Sequence, residues 1–205
     1  MQDFRQALDT HFRFMGENDH LPYHLKGRRQ RQDGRTLIAR VMKDMGFKTG
    51  LEIGTRYGAS TILWCENIPG LHMTCIDPYG AYRARKDVNK QNAVYEDAVT
   101  NLAPYNVNLI RESSADIHAR FEDESFDFIN IDGNHAFDAV VQDLIFYVPK
   151  VRKGGLVLVH DYFAFHQGGV VEAVDAYTKC HQVQQWFTTR DLEPTAFWQR
   201  GSERV

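Results

Sequence analysis

After residue 48 the chain alternates between two hydrophobic periods. Short apolar runs bounded by Gly, Pro or charged residues fall at Gly50–Thr55, His72–Pro78, Val107–Arg111, Phe126–Asp132 and Leu156–Tyr162. Each is too short for a helix and is predicted as a strand. Between them, Ala59–Asn67, Arg83–Leu102, Ala115–Phe121 and Phe137–Val148 carry apolar residues at helical spacing, as in Val140, Val141, Leu144, Ile145 and Val148. A further helix is predicted at Val170–Cys180. It is followed by two strand-like runs, Gln184–Thr189 and Thr195–Arg200, joined by the turn Asp191–Pro194. Strand alternating with helix predicts an α/β, Rossmann-like, doubly wound, mostly parallel seven-stranded sheet that ends in an antiparallel hairpin. Ligands of such sheets lie at the carboxyl ends of the strands.

The first 48 residues read differently. Phe4–Phe14 and Thr36–Met45 look helical, with His24–Gly34 as a polar loop between them. The expected organisation is a helical arm or lid over residues 1–48 packed on a ligand-binding domain over residues 49–205, with the arm also suited to a homodimer contact.

Composition narrows the function classes. A chain of 205 residues with 43% hydrophobic content suffices for one well-packed domain. A net charge of −3 lacks the general positive field of a duplex-binding protein, so nucleic acid is not the expected partner. Cys65, Cys75 and Cys180 are odd in number and form no CxxC pair, which fits free thiols in the cytoplasm. MQDFRQALDTHFRF has no apolar core of signal-peptide length, and no run approaches the ~20 apolar residues of a membrane span, so a soluble protein is expected. The basic run HLKGRRQRQDGR (His24–Arg35) sets Lys26, Arg28, Arg29, Arg31 and Arg35 against Asp33. A solvated loop is favoured over a grip on phosphate or an acidic substrate, since no aromatic residue interleaves the run.

LEIGTRYGAS (Leu51–Ser60) places Glu52, Gly54 and Gly58 where the first strand of the series passes into its helix, and glycine there lets a ligand lie against the backbone. Asp77 ends the next strand, about 20 residues on, a position suited to the two hydroxyls of a ribose. The E-x-G-x-x-x-G spacing lacks the close glycines of a pyrophosphate loop, and GxxxxGK[ST] is absent. An acid ahead of the glycines suits a ligand with an ammonium and a sulfonium, which describes S-adenosylmethionine. From about Gly50 to Tyr162 the chain resembles the class I S-adenosylmethionine-dependent methyltransferases. INIDGNHAF and GGLVLVHDY resemble the small-molecule, macrolide-sugar type of O-methyltransferase with a D-G-x-H strand end. The resemblance implies that Glu52 lies near the methionine amino group, that Gly54, Thr55 and Gly58 line the cofactor, and that Asp77 holds its ribose. It also implies that Ser113, Ser114 and Ala115 border the adenine, with Glu112 standing where many members carry glycine.

Asp132 ends the fourth strand of the series, and His160 and Asp161 end the fifth. Both carboxylates are therefore expected at the mouth that receives the cofactor's methyl group. Paired carboxylates there suit Mg²⁺ or Mn²⁺, which takes one or two carboxylates together with substrate oxygens. The resemblance implies Asp132 as a metal ligand and His135 as general base. Its members often place two adjacent acids where this chain has His160-Asp161, so Asp132, His160 and Asp161 form the expected metal set, and a nitrogen ligand would favour Mn²⁺, Fe²⁺ or Zn²⁺. DYFAFHQGG (Asp161–Gly169) is expected to wall the acceptor pocket. The reading is a metal-assisted O-methyltransferase acting on a hydroxyl of a small molecule, sugar or polyol-like. Its rivals are methylation of nucleic acid or an amine without metal, a non-catalytic cofactor-binding protein, and an NAD-dependent oxidoreductase. No [DN]-P-P-[YF] motif supports the first, and no phosphate loop supports the last.

Overall fold

Strand residues alternate between two faces, and in the middle of this sheet both faces are apolar because both are covered. A computed structural model describes residues 1–15, 22–28, 33–80, 87–163 and 168–202. In chain order the elements are α1 (Phe4–His11), β1 (Phe12–Phe14), β2 (Tyr23–Gly27), α2 (Gly34–Asp44), β3 (Thr49–Ile53), α3 (Ala59–Asn67), β4 (His72–Ile76) and α4 (Val88–Leu102). They continue with β5 (Val107–Ile110), α5 (Ser114–Ile117), β6 (Phe126–Ile131), α6 (Phe137–Tyr147), β7 (Val151–Val159), α7 (Val170–Cys180), β8 (Trp186–Thr189) and β9 (Ala196–Gln199). On β6, Ile129 and Ile131 enter a cluster with Val140 and Leu144 of α6 and Val174 of α7. Phe128, one residue out of phase, enters the opposite cluster with Ile38 of α2 and Trp64 of α3. Burying each such aliphatic or aromatic side chain contributes about 1.5–3 kcal/mol.

The strand order is β1-β2-β8-β9-β7-β6-β3-β4-β5. β3 to β7 run parallel, and β9 is antiparallel to both β7 and β8. From β3 the chain winds outward to β4 and β5, then returns to β6 on the other side. The crevice at this reversal lies between the carboxyl ends of β3 and β6, where Leu51 pairs with Ile129 and Ile53 with Ile131.

Among the described residues the sheet has nine strands rather than the expected seven. Both extra strands come from the first 48 residues. Helix α1 stops at His11 and Phe12–Phe14 is a strand, while Tyr23–Gly27 forms a strand inside the expected polar loop. Strands of three and five residues are too short to display a period. Tertiary pairing makes them, since β2 adds in parallel to β8 and Leu25 is fully buried. Phe14 and Tyr23 pack with Phe187 of β8 at ring centroid distances of 6.1 and 5.7 Å. Residues 29–32 of the basic run, 83–86 of the predicted Arg83–Leu102 helix and 164–167 of the expected acceptor wall lie outside the described residues.

Elsewhere the boundaries explain themselves. α4 starts at Val88 because the Asp87 side chain caps it, accepting from the backbone N–H of Asn89 and Lys90. Strand β7 begins at Val151, earlier than the expected Leu156, and its pairing with β6 shifts register between Phe126 and Phe128. The five parallel strands all end one to three residues before their predicted ends. The residues beyond those ends, Gly54-Thr55, Asp77-Pro78, Asp132 and His160-Asp161, have left the ladder to face a cleft. No described helix is long and apolar enough to cross a membrane.

Candidate active site

A cleft of about 850 Å³ opens at the carboxyl ends of β3 to β7. Gly54, Thr55 and Asp77 line it at the ends of β3 and β4, and Ser113, Ser114 and Ala115 beyond β5. Asp132, His135, His160 and Asp161 line it beyond β6 and β7. Gly54 sits at φ +90°, and a Cβ there would stand 2.2 Å from the Asp132 carbonyl oxygen. Only glycine lets the end of β3 lie this close to the backbone that carries Asp132. Gly58 does not line the cleft. It caps α3 at φ +86°, where a Cβ would meet the Leu102 side chain at 2.8 Å.

The acids at the strand ends differ in setting. Both carboxylate oxygens of Asp77 are engaged, accepting from the backbone N–H of Arg56 at 2.9 Å and of Tyr79 at 2.8 Å. Arg56 and Tyr79 occupy the left-handed region at φ +49° and +47°. Such positions cost of order 1 kcal/mol each and persist where surrounding bonds hold them, here the Asp77 carboxylate and the Tyr79 hydroxyl, which donates to the Arg56 carbonyl at 2.9 Å. Glu52 is fully buried and stands behind the cleft wall instead of on it. It accepts from Asn130 Nδ2 at 2.9 Å and from the Thr61 hydroxyl. Burial pushes its carboxyl up to about 7, against the pull of these donors.

At the other side of the crevice the carboxylates are open. His135 Nε2 lies 3.8 Å from Asp132 Oδ1 and 3.5 Å from Asp161 Oδ2, too far for good hydrogen bonds. One ligand atom from each of Asp132, His135 and Asp161 falls within 4.8 Å of the others. The local chain is built for this convergence. Asn134 Oδ1 accepts from the Ala136 N–H in a tight turn, and the His135 carbonyl accepts from Gly169 N–H at 2.7 Å, tying the turn to the start of α7. Asp161 is held at φ +58°. Burial raises its carboxyl, helped by the Asp132 charge, while His160 and His135 pull it down. His160 is not the third member of this group, contrary to the expected metal set. It is 4% exposed, its Nδ1 is 3.1 Å from Thr195 Oγ1 of the chain entering β9, and its Nε2 flanks Asp161 Oδ1 at 3.6 Å. The third member of the group is His135, the residue expected as the base.

Residues 51–162, more than half of the chain, match a family described as a methyltransferase domain. The chain belongs to this methyltransferase-domain family. Its strand order is accompanied by likeness in fold to solved structures. The O-methyltransferase TomG of Streptomyces achromogenes, involved in tomaymycin synthesis and solved with S-adenosylmethionine, is 17% identical with a TM-score of 0.62, over 82% of this chain and 79% of that one. An O-methyltransferase of Bacillus cereus, solved with S-adenosylhomocysteine, is 16% identical with a TM-score of 0.60, over 80% and 79%. The S-adenosylhomocysteine-bound methyltransferase PaMTH1 of Podospora anserina is 17% identical with a TM-score of 0.57, over 78% and 76%. An uncharacterized protein of Acanthamoeba polyphaga mimivirus is 29% identical over 119 residues, 56% of this chain and 51% of that protein, so the chain matches about half the length of that relative.

The methyltransferase-domain fold also brings unforeseen residues to the cleft. Asp143 is 4% exposed, lines the cleft and accepts from the Ser114 hydroxyl at 2.7 Å. Burial raises its carboxyl to about 6. Its signal in the sequence is an acid on the face of α6 that buries Val140, Leu144 and Tyr147. Arg35 of α2 and Glu193 of the β8–β9 connection line the cleft from outside the matched segment, and carried no signal of a shared site.

Proposed function

We propose that this chain transfers the methyl group of S-adenosylmethionine to a hydroxyl oxygen of a small molecule, with a divalent cation at Asp132 and Asp161 and with His135 as the base. The observation that carries this reading is the convergence of Asp132, His135 and Asp161 on one wall of the cleft. The cofactor fits the rest of it: a glycine at φ +90° admits a ligand close to the end of β3, and Asp77 faces the cleft one strand over. TomG and the Bacillus cereus enzyme hold S-adenosylmethionine or its product in the same fold.

S-adenosylmethionine supplies a methyl group on a sulfonium, which leaves as S-adenosylhomocysteine. Asp132 and Asp161 would hold Mg²⁺ or Mn²⁺, a cation that would supply charge to ease loss of a hydroxyl proton, and the His135 imidazole stands beside them. Asp132 and Asp161 bind and orient, each from a strand end fixed by the sheet. His135 Nε2 takes the acceptor proton, since imidazole is the side chain most used for that task near neutral pH. The acceptor's O–C bond forms as the S–C bond breaks, and most of the rate enhancement comes from holding oxygen, methyl carbon and sulfur in line.

The test is release of S-adenosylhomocysteine against a panel of sugar, polyol and phenol hydroxyls, with and without a chelator. Turnover that the chelator abolishes and Mn²⁺ or Mg²⁺ restores is the expected result. Chelator-insensitive turnover on amines or RNA would refute both the metal and the hydroxyl.

A further inference from the structure

Part of the basic run His24–Arg35 is strand β2 instead of solvated loop, which gives its cations fixed places. Leu25 enters the core cluster that holds Ile38 and Trp64, so His24 and Lys26 point to the other face, the one that α6 and α7 cover further along the sheet. Arg13 of β1 faces the same way, since its neighbour Phe12 lies in the Leu25 cluster. Arg13 pairs directly with Lys26, and the parallel register of β2 with β8 continues to Arg190, whose N–H donates to the Leu25 carbonyl at 2.9 Å. The register runs on through Pro194, just ahead of β9, to the end of β7, where the Tyr162 N–H donates to the Pro194 carbonyl at 2.8 Å. Arg13, Lys26, Arg190 and Asp161 therefore stand at one level, on β1, β2, β8 and β7. With about 4.8 Å between neighbouring strands, Arg190 starts about 10 Å from Asp161 and Lys26 about 14 Å.

All three cations are exposed, and among the described residues none has an ion-pair partner. Like charges directly opposite across a ladder are destabilising, so Arg13 and Lys26 oppose the pairing they sit on. A cation on an edge strand deters pairing with a second chain, which accounts for Arg13. It does not account for Lys26 or Arg190, whose strands have neighbours on both sides. His24 lies one step down the same face, its Nδ1 2.6 Å from Thr188 Oγ1, and burial together with the Arg190 charge lowers its ring below the usual histidine range. A row of fixed cations with no acid to answer it is complementary to a multiply charged anion.

We propose that Arg13, Lys26 and Arg190 bind a phosphate or pyrophosphate group of the methyl acceptor, whose hydroxyl sits at Asp132 and Asp161. The inference deepens the hydroxyl reading above and rests on it: the substrate is a phosphorylated hydroxy compound with about 10–14 Å between its phosphate and the methylated oxygen. Phosphate oxygens can accept two parallel N–H bonds from an arginine while a lysine supplies a point charge. No ion pair has to break when the group arrives.

Calorimetric titration of inorganic pyrophosphate into protein saturated with S-adenosylhomocysteine, with a chelator present, tests the row apart from any metal. Wild type is expected to bind, and Lys26→Gln/Arg190→Gln to weaken binding about tenfold or more. That variant should keep or gain thermal stability, since it relieves the like-charge contact. Arg40→Gln/Lys153→Gln removes the same charge from exposed sites on α2 and at the amino end of β7, and should change binding by less than about twofold. Release of S-adenosylhomocysteine with sugar phosphates, against the same sugars without phosphate, then ties the row to the acceptor. The phosphates should give the higher kcat/KM, and the row variant should raise KM about tenfold while leaving kcat within about twofold. Absence of pyrophosphate binding, equal loss in both double variants, or no preference for phosphate-bearing acceptors overturns the inference, and turnover of uncharged hydroxyls then leaves the hydroxyl reading intact. Pyrophosphate bound at the row with no hydroxyl methylated in either series overturns that reading, and the acceptor assignment with it. An RNA oligonucleotide bound through the same residues more than about tenfold tighter than pyrophosphate overturns the small-molecule acceptor.

Discussion

Glu52 and Asp132 sit two strand positions apart across the β3–β6 crevice, yet they have opposite fates. Glu52 pairs in register with Asn130, is fully buried, and spends its oxygens on Asn130 and Thr61. Asp132, two residues past Asn130, leaves the ladder, keeps 20% of its side chain exposed and stands 3.8 Å from His135 Nε2, grouped with Asp161. Glu52, fully buried with protein donors on its oxygens, holds the wall together, whereas Asp132, beside a second acid and an imidazole, faces the cleft. Residue type and strand position alone do not separate these roles. The partners do.

The largest effect that would break this contrast is expected at the glycine that joins its two halves. Gly54→Ala places a methyl 2.2 Å from the Asp132 carbonyl in a left-handed backbone, and should cost on the order of 3–4 kcal/mol in chemical denaturation together with loss of S-adenosylhomocysteine binding. Next comes Glu52→Ala, which leaves Asn130 and Thr61 without their buried acceptor and should cost about 3 kcal/mol, while Asp132→Ala should change stability by less than about 1 kcal/mol. Equal costs for the two would erase the distinction.

The same pair of acids makes a prediction in pH. The folded chain raises Glu52 from the ordinary 4.5 to about 7, so it holds its proton more tightly than the unfolded chain does. That contribution to stability is complete below about 4.5 and is lost as pH rises toward 7. Wild type should therefore lose roughly 3 kcal/mol relative to Glu52→Gln over that window, read from denaturation midpoints at several pH values. A parallel pair of curves would mean that Glu52 ionises freely. The smallest expected effect concerns His160, which flanks Asp161 without joining the group of three: His160→Asn should weaken Mn²⁺ binding about tenfold, the cost of a lost outer partner.

Much of the central fold is readable from period alone, because β3, β4, β6 and β7 send apolar side chains into a cluster on each face of the sheet and α3 and α7 occupy their predicted ranges. The strand-end residues Gly54, Asp77, Asp132 and Asp161 were readable too, since a doubly wound sheet sends every such end to the same side. What was not readable depends on distant partners. The side chain that completes the open group is His135 and not His160, because Thr195, 35 residues on, holds the His160 ring in the wall and Asp161 turns at a positive φ. β1 and β2 exist through β8, and Arg35 reaches the cleft through the contact of Gly34 with Asp191. None of these leaves a local trace.

The most direct test of an open site opposite a closed one is the affinity for Mn²⁺, followed by the paramagnetic resonance of the free ion with S-adenosylhomocysteine at saturation. The account predicts binding in wild type, a loss of about a hundredfold or more in Asp132→Asn, and no change in Glu52→Gln. Binding that survives Asp132→Asn, or that disappears in Glu52→Gln, would contradict it.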